Sequence, residues 1–436
     1  MERQHRNTIR GRPGAARRGP AGRVRPLLTA LAGTLLALTL AVPPAGAADT
    51  ADGRHWTASW GSAMTRPSEG LGPNWSEQGF EDQTLRQVVR IAAGGDAVRV
   101  RLSNAYGTTP LRIAGATVAR SAGEAGVHPY SLRPLTFNGR LAGTVPPGGE
   151  LVSDPAWLRA RPLESLTVTL YLAEPTGPAT FHPWAGATSY LADGDHRTDA
   201  RGDAFTETTQ SWYYLSGVDV LTRNRHTGTV ATFGASITDG YGSTVDGNNR
   251  YPDELAEILA EDGPPQGVVN LGISGNRLLS DAPCLGEAGV TRFSRDLALH
   301  PGVHTVVVLE GINDIGATGT HPCVGNPPRI TAQDLIEGHR ELIRQGHELG
   351  ITVIGATMLP YQGAAYYTEH GEQIRDEVNT WIRTSGAYDT VIDFDRLMAD
   401  PENEDRIRPA YDCGDHLHPH DTGYRVMAEA VARVLR

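Results

Sequence analysis

Four short polar segments of the chain carry the residue types that a serine nucleophile needs around it. In chain order they are residues 234–240 (GASITDG), 270–276 (NLGISGN), 310–314 (EGIND) and 415–419 (DHLHP). A serine hydroxyl is a poor nucleophile unless an imidazole takes its proton and a carboxylate holds that imidazole. Ser236 is the candidate nucleophile. Asp415 and His418, three residues apart, are the candidate orienting carboxylate and general base.

Attack on a carbonyl group also requires hydrogen-bond donors for the negative charge that develops on its oxygen. The backbone N–H groups of Ser236 and Gly275 and the side-chain amide of Asn313 are candidates on three of these segments. One preorganised donor of this kind contributes about 3–4 kcal/mol of transition-state stabilisation. Each feature also has a purely structural interpretation, since Gly275 could serve a turn and Asn313 with Asp314 a helix cap.

Alternating strands and helices are predicted to position these segments. Short apolar strands are expected at residues 229–233, 267–271, 303–309, 351–356 and 390–394, and helices at 251–260, 332–349, 371–384 and 422–434. This alternation predicts a flavodoxin-like, doubly wound parallel sheet. Ligands of such sheets bind at the carboxyl ends of the strands, and all four polar segments fall on that edge.

The first half of the chain predicts β-structure instead. Residues 85–92, 97–102, 111–118 and 166–172 alternate apolar with polar side chains, and Gly94-Gly95 is a turn signal. Several short strands separated by turns favour an antiparallel sandwich. We therefore expect a β-sandwich-like accessory domain over residues 48–225 and an α/β domain over residues 226–436.

Aromatic side chains are frequent in this front part, and Trp56, Trp60 and Trp184 are the ones to test. They could form the core of the sandwich, a platform that stacks on sugar rings, or one wall of the active-site cleft. The sequence leaves these three alternatives open.

Length, composition and charge narrow the class of protein. The 436 residues are 39% hydrophobic and 20% charged, which is enough apolar material for a sizeable core and argues against disorder. The net charge of -11 argues against a nucleic-acid partner.

The N-terminal residues predict export. A basic stretch, the apolar run 27–42 and the triplet Ala45-Gly46-Ala47 indicate a signal peptide over residues 1–47. The apolar run is shorter than the roughly 20 residues of a spanning helix, so we expect a secreted protein without a stable membrane anchor after cleavage.

Three cysteines allow one disulfide in an exported chain. Cys284, Cys323 and Cys413 give three possible pairings, of which we favour Cys284 with Cys323. The stretch from Asp412 to Asp421 holds carboxylates, imidazoles and a thiol, so a metal site is an alternative there. No second ligand cluster of matching type is evident, and we expect no metal.

The order Ser, Gly, Asn and Asp-x-x-His, at four strand ends, resembles the SGNH hydrolase superfamily of GDSL-type esterases and lipases. The resemblance covers roughly residues 227–436. It implies that Ser236 is the nucleophile, that Gly275 and Asn313 complete the oxyanion hole, and that Asp415 orients the base His418. Gly272 is the rival of Gly275, which we prefer because it directly follows a serine, as the family pattern requires.

One position departs from the family pattern. The superfamily usually has Asp before the serine, and Ala235 stands there in this chain. Because that Asp is not among the catalytic residues, we expect activity with a less rigid turn. The phrases GINDIG and GDHLHP resemble an extracellular branch of aryl- or acetylxylan esterases with a β domain in front.

The resemblance implies a secreted serine esterase that acts through an acyl-enzyme and needs no cofactor. The expected substrate carries a short acyl group, such as acetyl, on carbohydrate or on an aryl alcohol, as a small molecule or a polysaccharide. The alternatives are an extracellular lipase, a carbohydrate-binding protein with a degenerate hydrolase domain, and a metal-dependent hydrolase. The sequence does not indicate the oligomeric state.

Overall fold

The computed structural model describes residues 53–316 and 329–436. The predicted signal peptide and Cys323 therefore lie outside the described residues. The described residues belong to one compact unit. Below, residues 53–225 are called the front region and residues 226–436 the α/β region, and a division into two domains at this point stays a prediction.

The front region is built from antiparallel strands. They are β1 (His55–Gly61), β2 (Gln83–Arg90), β3 (Ala97–Ser103), β4 (Leu111–Ile113), β5 (Gly115–Arg120), β6 (Arg133–Leu135), β7 (Gly143–Val145), β8 (Glu150–Val152), β9 (Ser165–Leu172), β10 (Phe181–His182), β11 (Ser189–Asp193), β12 (Glu207–Thr209), β13 (Trp212–Tyr213) and β14 (Leu215–Thr222). One sheet has the order β1-β14-β3-β8 and another the order β12-β11-β2-β9-β5-β6. Alternate side chains of both sheets share one hydrophobic core.

The α/β region alternates strands with helices. Its elements are β15 (Thr229–Gly234), α1 (Ser236–Asp239), α2 (Tyr251–Asp262), β16 (Gly267–Gly272), α3 (Gly289–Ala298), β17 (Val303–Leu309), α4 (Ile312–Gly316), α5 (Ala332–Glu348), β18 (Thr352–Ala356), α6 (Glu369–Thr384), β19 (Thr390–Ile392), α7 (Phe394–Met398), β20 (Ala399–Asp400), β21 (Asn403–Ile407) and α8 (Asp421–Leu435). Five parallel strands form a sheet in the order β16-β15-β17-β18-β19. This is the flavodoxin-like order.

Helices cover both faces of the parallel sheet, which explains why its strands are apolar throughout. On β17, Val306 and Val308 face the core beneath α3, α5 and α6. Val307 and Leu309 face the opposite core beneath α2 and α8. The sheet is therefore doubly wound.

The predicted elements of the α/β region were found within about two residues of their expected ends. The short elements α1, α4, α7, β20 and β21 were not predicted, and neither was the longer helix α3. Its segment contains Gly289, Thr291 and Ser294, which are weak helix formers. Burial of Phe293 and Leu297 against the sheet stabilises the helix instead. In the front region, the single strand expected at residues 111–118 is two strands that belong to different sheets.

The structure contradicts part of the aromatic-platform hypothesis. Trp56 and Trp60 are only 8% and 4% exposed and lie in hydrophobic clusters of the front region. A side chain with so little accessible surface cannot stack on a sugar ring. Only Trp184, which is partly exposed, remains of the three positions proposed for that role.

The front region packs along the edge of the parallel sheet. Ser62, directly after β1, forms a parallel bridge with Asn270 of β16. The hydroxyl of Thr229 donates to Ala58 O at 2.8 Å, and Ala58 N donates to Pro301 O at 2.8 Å. The bridge places the end of β1 beside β16, and the two hydrogen bonds place the middle of β1 beside the first residue of β15 and beside Pro301. None of the helices in the described part of the chain has the length and hydropathy for crossing a bilayer.

A fully buried arginine joins the ends of two adjacent strands, β15 and β16. The Arg292 guanidinium donates to Gly234 O at 3.1 Å and to Leu271 O at 2.8 Å. Gly234 is the last residue of β15, and Leu271 is the last but one of β16. It also donates to Asn276 Oδ1 at 2.8 Å and pairs with Asp296 at 3.1 Å. One buried cation therefore organises the backbone directly below the predicted site.

Replacing this cation is expected to be strongly destabilising. Arg292→Met should lower the free energy of unfolding by about 3–5 kcal/mol, because it removes hydrogen bonds to two buried carbonyl oxygens and the buried cation beside Asp296. Urea unfolding followed by tryptophan fluorescence measures the loss. The matched control Arg344→Met, at an exposed ion pair on α5, should barely move the unfolding midpoint. Equal, small shifts in both variants would contradict this assignment.

Candidate active site

Ser236 is the first residue of the short helix α1, which follows strand β15 after Ala235. A Cβ at Gly234 would lie 2.5 Å from Leu309 O, so glycine is required where β15 passes β17. Ala235, at the position where Asp was expected, is buried with φ -101° and ψ -145°. The sharp turn at the strand end places the Ser236 side chain at the carboxyl edge of the sheet.

The structure brings Ser236, His418 and Asp415 together into one hydrogen-bonded chain. Ser236 Oγ lies 2.7 Å from His418 Nε2, although 182 residues separate them. His418 Nδ1 lies 2.6 Å from Asp415 Oδ2. Since a carboxylate only accepts, Nδ1 carries the proton and Nε2 is left to accept from the serine. This is the tautomer that a general base requires.

Asp415 is held in its charged form. Partial burial raises its pKa, but the hydrogen bond and charge of His418 and the N–H groups of Leu417 and His418 outweigh burial. The pKa of Asp415 therefore lies well below its ordinary value of 3.8. The carboxylate can orient His418 and stabilise the imidazolium without taking its proton.

Asn313 lies on α4, at the end of the neighbouring strand β17. Its Nδ2 donates to Asn276 O at 3.0 Å, and Tyr366 donates to its Oδ1 at 3.4 Å. An amide nitrogen has two hydrogens, so the second N–H can serve a ligand. The side chain thus links the segment after β17 to the segment after β16.

Asp314 strengthens the same link and is not a simple helix cap. Its carboxyl group accepts from Leu278 N at 2.7 Å and from Leu279 N at 2.9 Å. Burial raises the pKa of Asp314 to about 6, against the opposing effect of these N–H groups. The sequence identified Asp314 only as a possible cap, because its partners lie 35 residues away or more.

The two glycines considered for the oxyanion hole have different structural roles. Gly272 N already donates to Asn270 Oδ1 at 2.9 Å, and a Cβ there would lie 2.3 Å from Asp239 N. Gly272 is therefore a close-packing position between β16 and α1. Gly275 has φ +78°, a conformation that favours glycine, and stays the candidate donor of its segment.

An aromatic pair borders the candidate base. The Tyr241 ring lies 4.7 Å from the His418 ring, and the Trp184 ring lies 5.3 Å from Tyr241, between centroids. Tyr241 is 37% exposed, and its carbonyl accepts from Tyr424 at 2.5 Å. The sequence analysis did not identify Tyr241. The available signal was its position directly after the segment 234–240 (GASITDG).

A possible metal cluster overlaps this arrangement. Ligand atoms of Cys413, Asp415 and His418 lie within 4.8 Å of one another. Both ring nitrogens of His418 are, however, engaged by Ser236 and Asp415, and burial raises the pKa of Cys413 to about 11, so its thiol is protonated. The residues fit a serine nucleophile better than a metal centre.

The other candidate ligands of the 412–421 stretch form local contacts. The ring of His416 lies 2.7 Å from Asp412, and the ring of His420 accepts from Thr422 N. Among the cysteines, Cys284 is disulfide-bonded and Cys413 is free. The favoured partner, Cys323, lies outside the described residues.

Comparison with known proteins finds a family model that matches the part of the chain carrying this site. Residues 232–426 match the model of the GDSL-like Lipase/Acylhydrolase family. None of the curated proteins matches the chain.

Several solved structures are similar to part of this chain. An acetyl xylan esterase, AlAXEase, is 21% identical with a TM-score of 0.36, covering 48% of this chain and 100% of that chain. The M. smegmatis aryl esterase is 20% identical with a TM-score of 0.37, covering 48% and 99%. Est24, a carbohydrate acetylesterase from Sinorhizobium meliloti, is 16% identical with a TM-score of 0.37, covering 48% and 98%.

The geometry predicts selective reactivity of one serine. A fluorophosphonate should add once, at Ser236, because His418 takes the hydroxyl proton as fluoride leaves. Mass spectrometry of peptides from the treated protein locates the adduct. His418→Gln should slow labelling by about 100-fold or more, since general-base catalysis contributes that much. Ser243→Ala, which removes a nearby buried hydroxyl, should label normally. Labelling of another residue, or an unchanged rate in His418→Gln, would refute the assignment.

Proposed function

We propose that this protein is an exported serine esterase that hydrolyses carboxylic esters through an acyl-enzyme. The observation that carries the proposal is the chain from Ser236 Oγ to His418 Nε2 and from His418 Nδ1 to Asp415. It lies within residues 232–426, which match the model of the GDSL-like Lipase/Acylhydrolase family. Export is supported by the predicted signal peptide and by a disulfide at Cys284, since disulfides persist in oxidising compartments.

The first half-reaction forms the acyl-enzyme. Ser236 Oγ attacks the carbonyl carbon of the ester while His418 Nε2 takes the hydroxyl proton. The electron pair of the carbonyl bond moves to oxygen, and this oxyanion is bound by the N–H groups of Ser236 and Gly275 and the amide of Asn313. The C–O bond to the alcohol then breaks, and His418 delivers its proton to the leaving oxygen.

The second half-reaction restores the enzyme. A water molecule attacks the acyl carbon while His418 takes a proton from it. Breakdown of the second tetrahedral intermediate breaks the bond to Ser236 Oγ, which regains its proton from His418. The carboxylic acid is released. Asp415 stays ionised in both steps because its pKa lies well below its ordinary value.

The aromatic pair supports a ring-shaped leaving alcohol. His418 must reach the leaving oxygen, so the alcohol lies on the His418 side, beside Tyr241 and Trp184. Both rings are partly exposed and present apolar surface on which a sugar or phenol ring can stack. A short acyl group, such as acetyl, on carbohydrate or on an aryl alcohol is therefore the proposed substrate class.

The proposed activity is tested with p-nitrophenyl acetate and residues 48–436. Ser236→Ala should lower kcat by about 10³-fold or more. Asn313→Ala should lower kcat by roughly 10²–10³-fold with little change in KM, because it removes an oxyanion donor. A chelator should have no effect, and Gln333→Ala on the exposed face of α5 is the control.

Other outcomes identify the alternatives. Turnover in Ser236→Ala would mean that another group is the nucleophile, and loss of turnover with chelator would favour the metal-dependent hydrolase. A preference for octanoyl over acetyl esters would favour a lipase. A wild-type protein without turnover that binds acetylated xylan would favour a carbohydrate-binding protein.

The leaving-group assignment has its own test. Tyr241→Ala and Trp184→Ala should each raise KM for phenyl acetate by about three- to tenfold, the loss expected for one stacking contact. KM for ethyl acetate should change by less than twofold, because ethanol has no ring to stack. Trp157→Ala, at a 61% exposed tryptophan that contacts Arg54, is the matched control. Equal effects on both esters would rule out ring stacking.

A further inference from the structure

His182 of the front region is buried against the turn that carries Ser236. It is the last residue of β10 and is only 1% exposed. Its Nδ1 lies 2.8 Å from Ala63 O. Its Nε2 lies 2.8 Å from Trp184 O and 2.9 Å from Asp239 Oδ1. Asp239 is the last residue of α1, the helix that begins with Ser236.

Both ring nitrogens of His182 face oxygen atoms. Nδ1 lies beside the carbonyl oxygen of Ala63, and Nε2 lies beside the carbonyl oxygen of Trp184 and the carboxyl group of Asp239. The Trp212 ring stacks on His182 with centroids 5.6 Å apart. His182 and Asp239 thus form a buried hydrogen-bonded pair whose ring is fixed by three further residues.

The other oxygen of Asp239 holds the segment that contains Gly275. Asp239 Oδ2 accepts from Ser274 N at 2.9 Å and from Ser274 Oγ at 2.7 Å. Ser274 directly precedes Gly275, and both Asp239 and Ser274 are 1% exposed. One carboxylate thus connects His182 and the α1 turn to the loop of the proposed oxyanion donor.

We propose that His182 is a positioning residue supplied by the front region, which acts through Asp239 on the α1 turn and on the Ser274-Gly275 loop. This inference rests on the proposed esterase function. The His182 ring is hydrogen-bonded to one oxygen of Asp239, and this contact leaves the second oxygen directed towards Ser274. The spacing between the Ser236 hydroxyl and the Gly275 N–H therefore depends on a residue outside the α/β region.

A positioning role differs from a purely structural one in the kinetic constant it affects. Displacing an oxyanion donor relative to the nucleophile weakens binding of the transition state more than binding of the substrate. Loss of His182 should therefore lower kcat and leave KM nearly unchanged. A purely structural residue would change the fraction of folded protein but not the kcat of the folded molecules.

The experiment compares His182→Gln, Asp239→Asn and the double variant with the wild type on p-nitrophenyl acetate. Each single variant should lower kcat by roughly 10- to 100-fold, the effect of a small misplacement in an active site, with KM within threefold. The kcat of the double variant should be no lower than that of the less active single variant, because both residues act through one interaction. All assays are made below the unfolding transition, with active sites counted by fluorophosphonate labelling.

His339→Gln is the matched control. His339 is also a fully buried histidine, on α5, and its ring is bonded to Tyr388 at 2.6 Å, outside this network. Its replacement should lower stability and leave the kcat of the folded enzyme unchanged. A similar loss of kcat in His339→Gln would show that burial alone explains the effect.

The outcomes separate this inference from the proposed function. A wild-type protein with neither ester turnover nor fluorophosphonate labelling overturns the proposed function, and the inference with it. An active wild type with a kcat within twofold in His182→Gln overturns the inference alone. If His182→Gln does not fold, the isosteric Asp239→Asn decides: a folded variant with a kcat within twofold of the wild type overturns it equally.

Discussion

The buried guanidinium of Arg292 is the interaction on which the site depends. A charge without solvent must be balanced and hydrogen-bonded in full, and Arg292 meets this requirement with backbone oxygens at the ends of β15 and β16 and with Asp296. Its carbon Cζ also lies 3.9 Å from the centre of the Phe233 ring. Because these acceptors are strand ends, satisfying the charge also determines where the loops of the site begin.

The loops above this cation are joined to one another by side chains. Asn313 and Asp314, after β17, bind backbone groups of the segment after β16. Asp239, at the end of α1, binds Ser274 of the same segment and His182 of the front region. Ala235 precedes the nucleophile and has no polar side chain to hold the turn. Gly234 on one side is instead bound by Arg292, and Asp239 on the other side is bound by His182 and Ser274. The front region thus contributes to the order of the site.

Carboxyl groups at this edge of the sheet differ in environment and therefore in use. Partly exposed Asp415 accepts from three donors, and its pKa lies well below the ordinary value. Buried Asp314 has a pKa raised to about 6, and burial raises that of Glu310 to about 8 despite Arg292 nearby. Asp415 can stay charged while the base His418 gains a proton, whereas Asp314 and Glu310 have a structural role. These acidic residues look alike in the sequence, and their pKa values differ only because their burial and their hydrogen-bond donors differ.

The sequence by itself determined the parallel sheet and the edge at which chemistry could occur. The apolar run of β17 and the polar segments that follow the strands are local patterns, and parallel strands bring their carboxyl ends to one edge. This was enough to predict that Ser236, Asp415 and His418 would meet.

Only the tertiary structure decided which other groups meet them. It distinguished Gly275 from Gly272, buried Trp56 and Trp60, and paired His182 with Asp239, 57 residues away. The physical reason is that periodicity records which face of an element is buried. The partner of a buried polar group is instead set by the packing of distant segments, which no local pattern contains.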